Sequence, residues 1–353
     1  MTFCKIYDIF EPTKEGKSAI CGKDSHGSTL AQLPNGNIIT AWYSGSYEKS
    51  GDVGIYTSTF DPEEEIWNEV ELLEKESPKK SEGNPVFFFD EENDRLWMWW
   101  VTMDRANSPG VVNYKHFPGG WSTCKVKVRH SDDLGKTWTN THYLTKWWGR
   151  MTRNKPIRMS NGEVIFPYYS EWLGYKTNFW IASRDEFAKG SHECSWEKIG
   201  PIRGGVLQPN VVELDPGHLL CYMRSSKGGK LYPWTSVSES FDYGRNWTKI
   251  KKGPVYNCNA GLGMVKLKNG HLALAFNDSP ETRNPLSIGI SEDNGETWPY
   301  VRNLEYSEDK SDRFAYPEII QAKDGSIYCT YTNKHGINIR CAHFDEEWVK
   351  KGE

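Results

Sequence analysis

Ser291-Glu292-Asp293-Asn294-Gly295-Glu296-Thr297-Trp298 holds what a tight turn between two strands needs. Asp293 can bond backbone two residues on, Gly295 can take a positive φ, and Trp298 can pack beneath the turn. The pattern returns as Ser131-Asp132-Asp133-Leu134-Gly135-Lys136-Thr137-Trp138. It returns again, with Asn for Thr, as Ser240-Phe241-Asp242-Tyr243-Gly244-Arg245-Asn246-Trp247. These Asp-boxes make the chain a repeat, and the fold follows from the unit between them.

That unit is an apolar strand, a turn and a second apolar strand. It occurs at residues 28–44 (turning at Asn35-Gly36), 84–103 (near Asn93-Asp94) and 154–170 (Asn161-Gly162). Residues 208–225 (Pro216-Gly217), 261–279 (Asn269-Gly270) and 316–333 (Asp324-Gly325) complete the series. Asn-Gly or Asp-Gly between β-rich runs is a strong hairpin signal. Three further turns are degenerate Asp-boxes: Asp61 to Trp67, Ser183-Arg184-Asp185 to Trp196, and Asp345 to Trp348. Trp196, Trp247, Trp298 and Trp348 recur roughly every 50 residues, the length of a four-stranded propeller blade. The expected fold is all-β: a six-bladed β-propeller of four-stranded antiparallel blades with Asp-box turns. One domain would span residues 1–353, with blades near 20–70, 80–140, 150–200, 205–250, 257–300 and 313–350.

Composition agrees. Aromatic residues make up 14% of the chain, with 16 Trp, which suits pleated, half-buried surfaces and also sugar contact. A net charge of −4 speaks against nucleic acid or an anionic membrane as partner, so an anionic substrate needs a local basic cluster. The 8 Cys show no metal-ligand spacing, and neither a metal nor another cofactor is expected. With no signal-peptide-like stretch and no run of about 18 apolar residues, the expected location is cytoplasmic. Oligomeric state stays open.

Strand topology places the site. Hairpin turns and Asp-boxes share one face of the ring. The opposite face collects the starts of the innermost strands and the loops after the second strands. The strand starts there are His26, Asn84, Arg153-Asn154-Lys155, Gln208, Asn259 and Tyr316. The second-strand ends and loops add Glu48, Asp52, Asp104, Arg105, Tyr169 and Glu171. They also add Arg224, Asn277, Asp278, Arg283 and Asn333. Several cations near the axis of an acidic protein make a pocket for a carboxylate or sulfate, which Arg binds bidentately. Trp147, Trp148 and Trp172 in the long connections can stack on sugars or pack between blades.

The Asp-boxes, with Ser28-Thr29-Leu30-Ala31-Gln32-Leu33-Pro34-Asn35-Gly36 and Gln208-Pro209-Asn210-Val211-Val212-Glu213-Leu214, resemble the sialidase (neuraminidase) superfamily over about residues 20–348. The chain is most similar to the bacterial and archaeal "predicted neuraminidase" branch of Asp-box proteins. The resemblance implies three arginines on a substrate carboxylate, an aspartate acid/base, and a tyrosine nucleophile paired with a glutamate. Arg224 matches the second arginine, Arg283 the third, and Tyr316 the nucleophile. His26 stands where the first arginine's Arg-Ile-Pro motif is expected, and Gln208 stands for the glutamate. The general acid falls in the loop 45–52, as Glu48 or Asp52. Arg153, Lys155, Asn84, Asn277 and Asp278 complete the expected substrate contacts, with His26 assisting catalysis. The implied activity is sialidase-like hydrolysis of a terminal acidic sugar from a glycan. The same pocket would also suit a uronate-specific lyase, a glycosidase for another acidic sugar, or non-catalytic sugar binding.

Overall fold

The computed structural model describes residues 2–11, 21–107 and 119–352. Residues 20 and 108–118, inside the expected blade spans, lie outside that set. Six antiparallel sheets form a six-bladed β-propeller, each blade starting at the axis and meandering outward. Blade one runs Asp24–Gln32, Ile38–Gly45, Gly54–Asp61, with its outer position split between Ile66–Trp67 and Glu71–Glu74. Blade two runs Ser81–Asp90, Arg95–Met103, Cys124–Ser131, His142–Tyr143. In blade three the innermost strand is broken into Arg150–Met151 and Ile157–Arg158, followed by Val164–Ser170, Lys176–Ala182 and Glu197–Arg203. Blade four is Val206–Asp215, His218–Ser225, Trp234–Ser240, Lys251–Tyr256. Blade five is Gly263–Lys266, Leu272–Phe276, Leu286–Ser291, Tyr300–Glu305.

Blade six takes its outermost strand from the other end of the chain. Ala315–Gln321, Ile327–Asn333 and Asn338–Phe344 are completed by Cys4–Asp8, in register from Cys4 opposite Phe344 to Asp8 opposite Arg340. Arg340 Nε donates to Asp8 Oδ1 at 2.8 Å across this seam. The added strand covers an edge that would otherwise be open.

The Asp-boxes behave alike. In the third, Ser291 Oγ donates to Asp293 Oδ1 (2.7 Å) and accepts from the Gly295 N–H (2.9 Å), while Asp293 also accepts from the Thr297 N–H and hydroxyl (2.9 and 2.5 Å). The residue before the glycine is left-handed too: Leu134, Tyr243 and Asn294 have φ of 63°, 55° and 59°. Glycine is needed for contact as well as for φ. A Cβ on Gly244 would sit 2.7 Å from Ile165 of blade three, and Tyr222 Oη bonds Gly295 O at 2.6 Å across the blade four–five seam. Asp293→Ala is expected to cost about 1 kcal/mol, because the orphaned turn groups are largely solvated. Urea unfolding measures this, and turnover should be unchanged because the turn lies on the face away from the candidate site.

Two of the degenerate turns are corrected to short helices. Ser183 caps Arg184–Ala188 by accepting from the Glu186 N–H, and Asp345 caps Glu346–Lys350 by accepting from the Trp348 N–H. The same short acceptor side chain serves a turn or an N-cap. Aromatic rings fill the seams between blades: Trp97 stacks on Phe187 at 4.3 Å and Phe179 on Trp247 at 4.4 Å. Among the described residues no helix is long and apolar enough to cross a membrane, and the eight cysteines form no disulfide.

Candidate active site

The innermost strands are not regular where they reach the axis. Ladder pairing slips between His26 and Thr29, Gly83 and Val86, Leu207 and Asn210, and Ala315 and Glu318. At each slip one residue is left-handed: Gly27 (63°), Asn84 (45°), Gln208 (50°) and Tyr316 (52°). Asn259 (63°) holds the matching place in blade five. For Gln and Tyr this is a strained backbone, which functional sites retain to re-aim side chains. Pro85, Pro209 and Pro317 follow three of them. Proline has no N–H to give the ladder, so the sequence tolerates the bulge where it occurs.

The bulges turn polar side chains into one cavity of about 560 Å³. Its floor is a linked set. Arg224 Nε donates to Asn259 Oδ1 (2.8 Å) and its Nη1 to Gln208 Oε1 (3.1 Å). Arg283 Nη2 donates to the Asn259 carbonyl (3.1 Å), and its guanidinium lies 5.0 Å from the centre of the Tyr316 ring. Two arginines thus converge through Asn259 beside one phenol. On the other wall, Glu48 Oε1 accepts from Trp121 Nε1 at 2.9 Å. Glu171 also lines the cavity.

Charge sets the protonation states. Burial would push the Tyr316 phenol up. Arg283, with Arg224 and His26, outweighs burial and the Glu48 carboxylate and holds the phenol below its ordinary value. Burial also opposes charge on His26. The Asp24 carboxylate, 2.5 Å from Nε2, prevails and raises the imidazole above its usual range. Burial pushes the Glu171 carboxyl up to about 7, against the pull of Arg224 and Lys49. Its protonated form therefore stabilises the fold, fully below the ordinary value of 4.5, and this is lost as pH rises through about 7. Tm is expected to fall by about 2–4 °C between pH 5 and 8 from this group, and Glu171→Gln should flatten that step in a calorimetric pH series.

A family model described as a BNR repeat-like domain matches residues 36–329. The chain belongs to that family. A sialidase of Bacteroides fragilis (strain YCH46) is 25% identical over 245 residues, 61% of this chain. The chain spans 41% of that relative's length. Among solved structures, the Hadza microbial sialidase Hz136 superimposes with a TM-score of 0.75 at 17% identity, covering 98% of this chain and 69% of its own. The intramolecular trans-sialidase of Ruminococcus gnavus gives 0.74 at 14%, covering 97% and 98%. These two likenesses speak to fold. With the family match they bear out the resemblance to the sialidase superfamily.

In this BNR-repeat propeller, Tyr316, Arg224, Arg283, Gln208, Asn84 and Glu48 line this cavity. Tyr169, Glu171 and Asn259 line it as well, whereas Arg153, Lys155, Asp52, Asn277, Asp278 and His26 do not. Arg153 is buried beneath Tyr316, 5.6 Å from its ring, and bonds Glu318 (3.3 Å), Pro317 O (3.1 Å) and Ser28 O (3.3 Å). Lys155 Nζ bonds Ile319 O (2.9 Å) and pairs with Glu318 (3.2 Å). Both cations are spent on the axis because Glu318 is buried there and needs them. Asp52 accepts from Ser46 N (3.1 Å) and Oγ (3.0 Å), closing its own loop. Asn277 ties Pro285 O to Phe314 O (2.9 and 3.0 Å), and Asp278 is exposed outside the cavity. His26 packs against the Tyr316 ring at 6.0 Å from behind. Trp121, Lys310 and Arg313 line the cavity without having been singled out; Arg313, three residues before Tyr316, was the most readable of them.

One group of described residues has metal-ligand spacing: His271, Glu292 and Glu346. It lies on the Asp-box face, and Lys350 Nζ stands 2.6 Å from Glu292 and 2.9 Å from Glu346. An ammonium thus holds the position a cation would take.

Proposed function

We propose that this propeller is a sialidase-like glycoside hydrolase that removes a terminal carboxylate-bearing sugar from a glycan. One observation carries the reading: Arg224 and Arg283 meet at Asn259 beside Tyr316, in a single cavity. The arginines bind the sugar carboxylate by charge-assisted hydrogen bonds. Tyr316, its phenol held down by the same cations, gives up its proton to solvent and attacks the anomeric carbon as phenolate. Tyrosine is neutral until it is activated, so it can wait beside a carbon that bears a carboxylate without the repulsion an ionised Asp or Glu would meet. Glu48 gives its proton to the leaving oxygen as the glycosidic bond breaks. Its carboxylate then takes a proton from water, which attacks the anomeric carbon and releases Tyr316.

Gln208 cannot accept the tyrosine proton, so activation falls to the cationic field of Arg283, Arg224 and His26. The sialidases and trans-sialidases with this fold support the choice of sialic acid as the first substrate to test. The test is a panel of aryl glycosides of sialic, uronic and neutral sugars, run alongside uronate polymers. Release of the aryl alcohol from the sialoside alone is the expected result. A conjugated, ultraviolet-absorbing product from a uronate polymer would replace hydrolysis with elimination. Binding without turnover on every substrate would make the propeller a lectin.

A further inference from the structure

A second cavity of about 560 Å³ opens beside the first, and the two share Tyr175, Lys227 and Asn259. Asn259 is the residue on which Arg224 and Arg283 converge. The annex lies between blades three and four, lined by Lys176, Arg203 and Lys227 and by no acidic residue among those described. Lys176 and Arg203 are directly opposite each other in the antiparallel pair of Lys176–Ala182 with Glu197–Arg203. Directly opposed residues project to the same face, and like charges in that arrangement destabilise a sheet. No carboxylate among the described residues lies within salt-bridge distance of either. Elsewhere on this acidic protein Arg129, Arg158 and Arg245 are each paired with a carboxylate. Leu173 and Tyr175, 72% and 39% exposed, add an apolar edge, and Gly204, Gly205 and Gly228 complete the lining.

Resting on the reading of the first cavity as an acidic-sugar site, we infer that the annex binds a second, negatively charged sugar of the same glycan. Its anionic substituent sits between Lys176 and Arg203, and its ring lies on the Tyr175 edge. The substrate is then an oligosaccharide with acidic sugars at adjacent positions. An anion between the two cations removes the repulsion the empty pair suffers, and the contribution weakens with salt because both cations are near solvent.

Calorimetric titration of the Tyr316→Phe variant with 3′-sialyllactose and with α2,8-linked disialic acid tests this. The first has a neutral neighbouring sugar and the second an acidic one. About 10-fold tighter binding of disialic acid at low salt is expected, with the ratio falling toward 1 when Lys176→Ala and Arg203→Ala are added. Each single substitution is expected to keep or raise Tm, because it relieves the repulsion, so misfolding does not explain the loss. Equal affinities before the added substitutions, or an unchanged ratio after them, overturns the annex. If neither compound binds, the acidic-sugar reading of the first cavity fails and the inference falls with it. If 3′-sialyllactose binds and disialic acid binds no better, only the annex fails.

Discussion

Tyr316→Phe is expected to lower kcat on an aryl α-sialoside by about 10³-fold or more, the usual scale for loss of a nucleophile. The fold should persist. The left-handed backbone at residue 316 is unchanged by removing a distant hydroxyl, and the ring keeps its places beside Arg283, Arg153 and His26. Tm should therefore move by no more than about 2 °C. Sialic acid binding, set by Arg224 and Arg283, should survive in a titration of the variant. A kcat within about 10-fold of the parent would remove Tyr316 from the chemistry.

Arg283→Met carries the second large effect, through two routes. It deletes one carboxylate donor, and it deletes the cation that contributes most to lowering the Tyr316 phenol. Loss of a desolvated charge contact costs about 2–4 kcal/mol, so kcat/KM should drop by about 30- to 900-fold. The second route has a separate readout. With burial and Glu48 less opposed, the phenol titrates at higher pH, and the alkaline side of the acidic-to-basic rise in kcat moves upward. Among 18 Tyr, the difference titration between Arg283→Met and its Tyr316→Phe double variant isolates this one. A fall in affinity with no shift of that titration would confine Arg283 to substrate binding.

Much of the ring was readable because its period repeats. Three Asp-boxes fix the register, and register alone brings Arg224, Arg283, Gln208 and Tyr316 to one mouth. What the period could not carry was side-chain direction within a blade. Arg153 and Lys155 stand at the right height, but whether they point into the mouth or down the axis depends on Glu318, from another blade and 1% exposed. Glu48 and Asp52 share one loop, and only the bonds from Ser46 separate the carboxylate that folds the loop from the one that faces the cavity. Closure by Cys4–Asp8 leaves no local signal, since its partner strand is distant in sequence. The opposition of Lys176 and Arg203 is a fact of strand register, which a reading of either residue alone does not reach. The left-handed turns at Gln208 and Tyr316 were hidden for a related reason. Neither residue type favours positive φ, so only the following prolines hint at the bulges.

The most direct test of the account is to trap the covalent intermediate. A sialosyl fluoride bearing fluorine beside the anomeric carbon forms the glycosyl–enzyme bond but breaks it slowly. Mass spectrometry of the digested protein should find one sugar on the peptide containing Tyr316, and none after Tyr316→Phe. A sugar attached to any other residue, or attachment that survives Tyr316→Phe, would contradict the assignment of the nucleophile and with it the mechanism.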